Sequence, residues 1–122
     1  MARLKRDPHE LLPLTPGMFH VLIALADGEK HGYAIIKEVA RRTGGAIRLS
    51  AGTLYTLIRR FVQDGVIAES DERPDPALDD ERRRYYRVTD FGREVAKAEA
   101  ARMESTLSMA REKHLIPRSR PS

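Results

Sequence analysis

Three short helical segments, each ended by glycine, restrict the fold of this chain more than any other feature. The first is predicted to begin at Thr15-Pro16, because Thr caps a helix and Pro fits its first position, and to end at Asp27-Gly28. The second is predicted from about Gly32 to Thr43 and is ended by Gly44-Gly45. The third is predicted over residues 51–64, with Ser50 as its cap and Gly65 at its end.

A predicted β-hairpin and a long helix follow these three helices. Val66 to Glu69 is predicted to be a strand, residues 73–76 a turn, and Arg83 to Val88 the returning strand, which is rich in β-forming residues. The last helix is predicted from near Thr89 to about Lys113. Three helices followed by a hairpin are typical of the winged helix-turn-helix, in which the third helix enters the major groove of DNA. The predicted fold class is therefore mainly α with a small β-hairpin, a winged helix-turn-helix plus a long C-terminal helix.

This order of elements divides the chain into four parts. We expect residues 1–13 to be a loose N-terminal arm, residues 14–89 a winged helix-turn-helix domain, residues 90–114 a C-terminal dimerisation helix and residues 115–122 a tail. A chain of 122 residues has room for one such domain and one core. It contains no cysteine and no apolar run of the roughly 20 residues that a membrane span needs, and the charged N-terminus is not followed by an apolar stretch. We therefore expect a cytoplasmic protein.

Charged residues are sorted into blocks along the chain. Residues 41–60 carry five arginines and no acid: Arg41, Arg42, Arg48, Arg59 and Arg60. Residues 64–81 carry eight acids against Arg73 alone, and Arg82, Arg83, Arg84 and Arg87 follow. A merely solvated surface usually mixes the two signs. Together with the net charge of +4, this sorting favours a nucleic-acid partner.

Three segments of the sequence resemble the PadR family. They are LTPGMFHVLIALADGEKHGYAIIKEV (Leu14 to Val39), LSAGTLYTLIRRFVQDGVI (Leu49 to Ile67) and RRRYYRVTDFGRE (Arg82 to Glu94). They cover about half of the chain, in the order and spacing of the short form of the family, which has a single C-terminal helix. The resemblance implies a dimeric repressor whose last helix packs against the partner subunit. It further implies that some members release DNA on binding a small hydrophobic or aromatic molecule at the dimer interface.

The third helix has a polar face suited to DNA. Its apolar positions 54, 57, 58, 61 and 62 leave Gly52, Thr56, Arg59, Arg60 and Gln63 on the opposite side, with Thr53 and Tyr55 at the borders. Arginine can form two hydrogen bonds to guanine, threonine can contact a thymine methyl, and Gly52 lets the helix start approach a phosphate. We therefore predict double-stranded DNA contacts from Ser50, Gly52, Thr53, Tyr55, Thr56, Arg59 and Arg60. Tyr55 has an alternative position, packed on the second helix.

The wing has three consecutive arginines, Arg82, Arg83 and Arg84, which we also predict to contact DNA. Neighbouring residues of a strand point to opposite faces, so not all three can reach it, and some can pair instead with Asp79, Asp80 or Glu81. By the same alternation, one of Tyr85 and Tyr86 is predicted in the core and the other at the surface.

The last helix carries a broad apolar band that one small domain cannot cover. We predict that it forms a homodimer interface through Phe91, Val95, Ala98, Met103, Leu107 and Met109, with Glu99 and Arg102 interrupting the band. A cofactor-binding site on this helix is a less economical alternative. Because a two-fold symmetric protein needs two-fold symmetric DNA, the dimer predicts a palindromic operator.

The sequence shows no pattern of an enzyme. A Gly-rich phosphate loop, a nucleophile elbow and a pair of catalytic carboxylates are all missing from it, and His31 is predicted to be a structural turn histidine rather than a metal ligand or base. We expect no catalytic residue, cofactor, metal site or membrane association. Three functions remain: a repressor that responds to a small ligand, a DNA-binding regulator without such a ligand, and a winged-helix module that binds protein instead of DNA.

Overall fold

The computed structural model describes residues 6–70 and 84–117. Its helices are a 3-10 helix at Pro8–Leu11 and four α-helices, α1 (Pro16–Leu25), α2 (Gly32–Arg42), α3 (Ala51–Gln63) and α4 (Asp90–Glu112). Its strands are β1 (Lys30–His31), β2 (Ile67–Glu69) and β3 (Tyr85–Val88). The predicted fold class is confirmed, and the predicted helices agree with the observed ones to within about two residues. The predicted loop over residues 73–76 lies outside the described residues.

Side-chain caps explain where the four α-helices begin. Thr15, Ser50 and Thr89 each accept a hydrogen bond from the backbone N–H three residues later, at 3.2, 3.1 and 2.9 Å. His31 caps α2 in the same way, since its Nδ1 accepts a hydrogen bond from the N–H of Ala34 at 3.2 Å. Each cap satisfies a helix-terminal N–H that has no partner within the helix. The prediction of a structural histidine at position 31 is thus confirmed.

The sheet has one more strand than the sequence predicted. β3 lies between β1 and β2 and pairs antiparallel with both, with Lys30 opposite Tyr86 and Ala68 opposite Arg87. β1 has only two residues, too few for any alternation to be visible in the sequence. The two tyrosines of β3 separate as expected, because Tyr86 is buried in the core whereas Tyr85 is half-buried and meets the His31 ring edge-on at 5.5 Å.

The core joins all four α-helices and the sheet. Its fully buried side chains include Leu22 and Leu25 from α1, Ile35 and Val39 from α2, and Leu54 and Phe61 from α3, with Val66, Ile67 and Val95. The start of α4 docks closely on this core at Gly92, where a Cβ atom would lie 2.0 Å from the carbonyl oxygen of Val66. Only glycine permits such an approach, so the first turns of α4 are part of the domain.

The N-terminal segment differs from the predicted loose arm. Pro8–Leu11 forms a 3-10 helix that packs against α4, and Leu11 and Leu12 lie against the core. Arg6 donates to the carbonyl oxygen of Asp64 at the end of α3, and its guanidinium lies 5.1 Å from the ring centre of Phe91 in α4. The prediction was wrong for this segment. Its few apolar residues follow neither a helical nor a strand period, so the sequence contains no sign that the segment would pack on the domain. Residues 1–5 lie outside the description.

α4 has a docked first half and an exposed second half. Val95 is 0% exposed and Phe91 packs partly on the core, so these two predicted interface residues lie within their own chain. Ala98 is half-buried, and every residue from 100 to 109 is exposed. The physical reason is length: at 1.5 Å per residue the 23-residue helix spans about 35 Å, longer than the small domain beneath it. The prediction for a partner contact therefore narrows to Met103, Leu107 and Met109.

Candidate nucleic-acid interface

α3 presents a continuous polar face to solvent. Its apolar side, with Leu54, Ile58 and Phe61, is buried in the core. The five positions that the sequence placed on the opposite side are all exposed, namely Gly52, Thr56, Arg59, Arg60 and Gln63, and so is the border residue Thr53. Leu57 is half-buried, whereas Val62 is 45% exposed although its apolar side chain predicted a position in the core.

The first turn of α3 is held by hydroxyl hydrogen bonds. The Ser50 hydroxyl accepts from the N–H of Thr53 and donates to the Thr53 hydroxyl at 3.0 Å. The Thr56 hydroxyl donates to the carbonyl oxygen of Gly52 at 2.9 Å. A Cβ atom added at Gly52 would meet nothing within 4 Å, so the surface beside this turn is open. Another molecule can therefore come close to the helix backbone at this turn.

Arg59 and Arg60 are exposed cations on the same face. Neither has a carboxylate partner within residues 6–70 and 84–117. Arg84 differs, because its Nε lies 3.4 Å from Oε1 of Glu69 across the hairpin. The sequence predicted an acid from residues 79–81 as the alternative partner of the wing arginines, so this pair was not foreseen. Arg82 and Arg83 lie outside the described residues.

Tyr55 takes its alternative position. Its side chain is half-buried and lies on α2, where a Cβ atom at Gly32 would come within 2.6 Å of the phenol oxygen. The absence of a side chain at Gly32 therefore lets α2 and α3 pack closely. Tyr55 also lines a groove of about 480 Å³ between α3 and the sheet, together with Arg59, Arg84 and Tyr86. Burial raises the pKa of the Tyr86 phenol above its usual value.

One polar residue with a structural role was not identified from the sequence. Glu99 was predicted only to interrupt the apolar band of α4, but it is 1% exposed. Its carboxylate accepts from the N–H of Leu14 at 2.8 Å and from Nε of Arg102. These hydrogen bonds, that from Arg102 foremost, hold the pKa of Glu99 below its usual range despite its burial. The (i, i+3) spacing of Glu99 and Arg102 was the one visible signal, and it indicates an ion pair without indicating burial.

Comparison with known proteins assigns the family. The profile described as "Transcriptional regulator PadR-like family" matches residues 21–98, which include the whole of α2, α3 and the sheet. The chain belongs to the PadR-like family of transcriptional regulators. It is 38% identical over 74 residues to the transcriptional regulator Rv3488 of Mycobacterium tuberculosis, a match that covers 61% of this chain and 63% of that protein. The matched region thus spans less than two thirds of that relative.

Solved structures agree with the PadR-like fold. A transcriptional regulator from Clostridium thermocellum superposes with a TM-score of 0.65 at 25% identity, covering 79% of this chain and 87% of that chain. A PadR family transcriptional regulator from Eggerthella lenta superposes with a TM-score of 0.64 at 25% identity, covering 90% and 87%. The family and these relatives are regulators of transcription, which confirms the prediction of a protein that is not an enzyme.

Two negative observations concern the described part of the chain. Within residues 6–70 and 84–117, none of the helices combines the length and the apolar character needed to cross a membrane. The same residues contain no group of three or more His, Asp or Glu side chains placed to hold a metal ion.

Proposed function

We propose that this PadR-like regulator binds double-stranded DNA sequence-specifically, with α3 in the major groove. The observation that carries the proposal is the exposed face of α3, where Thr53, Thr56, Arg59 and Arg60 lie on one open surface. Arg59 and Arg60 have no carboxylate partner among residues 6–70 and 84–117, and such arginines can bond guanine edges or phosphates, while threonine methyl groups can contact thymine. Family membership adds support, since the family consists of transcriptional regulators.

The proposal includes a homodimer formed by the second half of α4. Met103, Leu107 and Met109 are 42%, 45% and 61% exposed, although Met and Leu are among the residues most often buried in folded proteins. Met103 and Leu107 lie one turn apart and so share a face of the helix. A second copy of α4 on this face would bury both. The dimer would place two α3 helices on a palindromic operator, with half-sites about one helical turn, or about 10 base pairs, apart.

We further propose that the bound dimer represses transcription and that a small hydrophobic or aromatic ligand between the subunits releases it. A dimer on an operator can exclude other proteins from the same DNA. The apolar side chains of α4 would line a ligand site at the interface. The chain contains no Trp, so the contacts with the ligand would have to come from Phe, Tyr, Met and aliphatic side chains. Differential melting of the protein with a panel of planar aromatic compounds tests this part separately from DNA binding.

Selection of bound sequences from a random DNA pool, followed by titration at several salt concentrations, tests DNA binding. We expect a palindromic consensus and, for a dimer that neutralises about eight phosphates, a slope of log affinity against log salt near −7. Arg59→Ala and Arg60→Ala should each weaken binding to the consensus by about tenfold or more at an unchanged melting temperature. The control is Lys97→Ala, which removes one positive charge from an exposed position of α4.

The second candidate is a winged-helix module that binds protein, and the exposed mixed surface of α3 is compatible with it. It predicts no consensus and a salt slope shallower than about −2. Either of these two results, obtained with a folded dimer, would contradict the DNA-binding proposal. A lower melting temperature of Arg59→Ala than of the wild type would instead show that this side chain stabilises the folded protein.

A further inference from the structure

The turn at the end of α3 is hydrogen-bonded to the start of α4. α3 ends at Gln63, and residues 64–66 form the turn that leads into β2. Thr89, the N-cap of α4, donates its hydroxyl hydrogen to the carbonyl oxygen of Gly65 at 2.5 Å and its backbone N–H to that of Val66 at 3.0 Å. The residue that caps α4 therefore also binds two carbonyl oxygens of this turn.

Arg6 contacts the same turn and the first turn of α4 at once. Its guanidinium donates to the carbonyl oxygen of Asp64, and its Nη2 lies 4.0 Å from Oδ1 of the same residue. The guanidinium also lies 5.1 Å from the ring centre of Phe91, a cation–π contact. Because the Arg6 side chain is 47% exposed, these contacts contribute little to the stability of the fold. What they do restrict is the position of two chain segments relative to each other.

α3 and α4 otherwise pack on different parts of the domain. α3 lies mainly against α2 and β2, whereas α4 lies against the 3-10 helix, α1 and β3. Within residues 6–70 and 84–117, the turn after α3 is thus the most direct link between the two helices. Residues 64–66 with Arg6, Thr89 and Phe91 form the α3–α4 junction.

The direction of α3 relative to α4 matters for a dimer that binds two half-sites. In the proposed dimer, the two copies of α3 are connected through the paired α4 helices. Adding one base pair between the half-sites moves the second half-site by about 3.4 Å and rotates it by about 34° around the DNA axis. A junction that holds α3 firmly on α4 restricts the dimer to one spacing, whereas a looser junction lets α3 follow the displaced half-site.

We propose that Arg6, acting with Phe91, is a positioning residue that fixes α3 relative to α4 and so sets the half-site spacing that the dimer accepts. The inference rests on the proposed DNA-binding dimer and adds a determinant of its specificity. Arg6 lies in the segment that the sequence predicted to be a loose arm, and Phe91 was predicted to contact a partner subunit. In this role neither residue touches a base, because both act through the turn that ends α3.

The test compares wild type and Arg6→Ala on DNA probes that carry the selected half-sites at the selected spacing, or one base pair closer or farther apart. A misplaced second half-site loses part of the gain from linked binding, so the wild type should bind the altered spacings at least about tenfold more weakly. For Arg6→Ala we expect this penalty to shrink to about threefold or less, with an unchanged half-site sequence and melting temperature.

Two further variants separate positioning from charge. Arg6→Lys keeps a cation that can donate to Asp64 and lie on the ring, so it should restore much of the spacing preference. Phe91→Leu keeps an apolar side chain but removes the ring, and should widen the accepted spacing as Arg6→Ala does. Because both contacts belong to one junction, the double variant Arg6→Ala/Phe91→Leu should add little to either single change. The matched control, Lys97→Ala, removes an exposed positive charge from α4 and should keep the narrow preference.

Each result assigns the role of Arg6. If Arg6→Ala and Phe91→Leu both keep the spacing preference of the wild type, this inference fails while the proposed function stands. Equal weakening of Arg6→Ala on all spacings and on a single half-site would show that Arg6 contacts DNA itself, which also contradicts the positioning role. A wild type that accepts all three spacings equally would show that the junction sets no spacing. If the wild type binds no DNA, or binds it only as a monomer, the proposed function itself fails.

Discussion

α3 and α4 are both amphipathic helices, but they leave different surfaces exposed. The apolar side of α3 is buried in the protein's own core, so its exposed face is polar and cationic, with Val62 as an exception. α4 buries Val95 and Glu99 near its start and exposes apolar Met103 and Leu107 farther along. The apolar side of α3 is therefore covered within the chain, whereas part of the apolar side of α4 is not. This difference suggests a different partner for each helix. A polar, cationic face suits DNA, and an apolar one suits a second copy of the chain.

The largest effect should come from placing charge on the exposed half of α4. In Met103→Glu/Leu107→Glu we expect complete loss of the dimer, because two carboxylates from each subunit would face each other across the interface. Loss of the linked second site should lower affinity for the operator by about a hundredfold or more. Sedimentation measures the assembly and a gel shift measures the affinity.

The control for this variant is Ser105→Glu/Ser108→Glu, which adds the same charge at exposed polar positions of the same helix. It should remain dimeric if Met103 and Leu107 form the interface. A Met103→Glu/Leu107→Glu protein that stays dimeric would place the interface elsewhere and remove the contrast between α3 and α4.

Two glycines, Gly92 in α4 and Gly52 in α3, differ in how closely other atoms approach them. Gly92→Ala should lower the free energy of unfolding by about 3 kcal/mol or more, because its Cβ would lie 2.0 Å from the backbone oxygen of Val66 and α4 would have to shift. Gly52→Ala meets nothing within 4 Å and should raise the free energy of unfolding by about 0.5 kcal/mol, since Ala is the better helix former. Urea denaturation measures both.

The same pair separates stability from binding. Gly52→Ala should weaken DNA binding although it stabilises the protein, because its methyl group occupies the surface that lets the start of α3 approach a phosphate. Equal or stronger DNA binding by this variant would argue against contact at the first turn of α3. An unaltered stability of Gly92→Ala would show that α4 docks less closely than the structure has it.

Local rules were sufficient for most of the fold. Helix caps such as Ser50, terminating glycines and the β-rich Tyr85–Val88 act on neighbouring residues, so their effects can be predicted without knowing the three-dimensional structure. The polar face of α3 followed from helical spacing for the same reason. What could not be predicted depends on residues far apart in the chain. β1 exists because Lys30 and His31 meet β3, Val95 is buried because α4 crosses the core, and Tyr55 packs where Gly32 leaves space.

Glu99 is the clearest case of such a long-range effect. Its carboxylate links the N–H of Leu14 to α4, across 85 positions of sequence. Glu99→Gln keeps the size of the side chain but removes its charge, so the hydrogen bonds from Leu14 and Arg102 should weaken. Hydrogen bonds to a charged group contribute about 1.5–3 kcal/mol, and since the amide oxygen can still accept, we expect a loss of about 1.5 kcal/mol near neutral pH. Chemical denaturation of the two proteins measures this difference.

The pH dependence of that difference tests whether the charge is responsible. Because the pKa of Glu99 is lower in the folded protein than in the unfolded chain, the carboxylate stabilises the fold above the ordinary glutamate pKa. This contribution is lost as the pH falls through the lowered pKa, where the folded protein takes up the proton. The stability gap between wild type and Glu99→Gln should therefore be largest at about pH 6.5 and should narrow toward about pH 3.5. A gap independent of pH would show that Glu99 contributes by packing rather than by charge. In that case Glu99 would hold the first half of α4 on the domain by packing alone, and its charge would add nothing to this attachment.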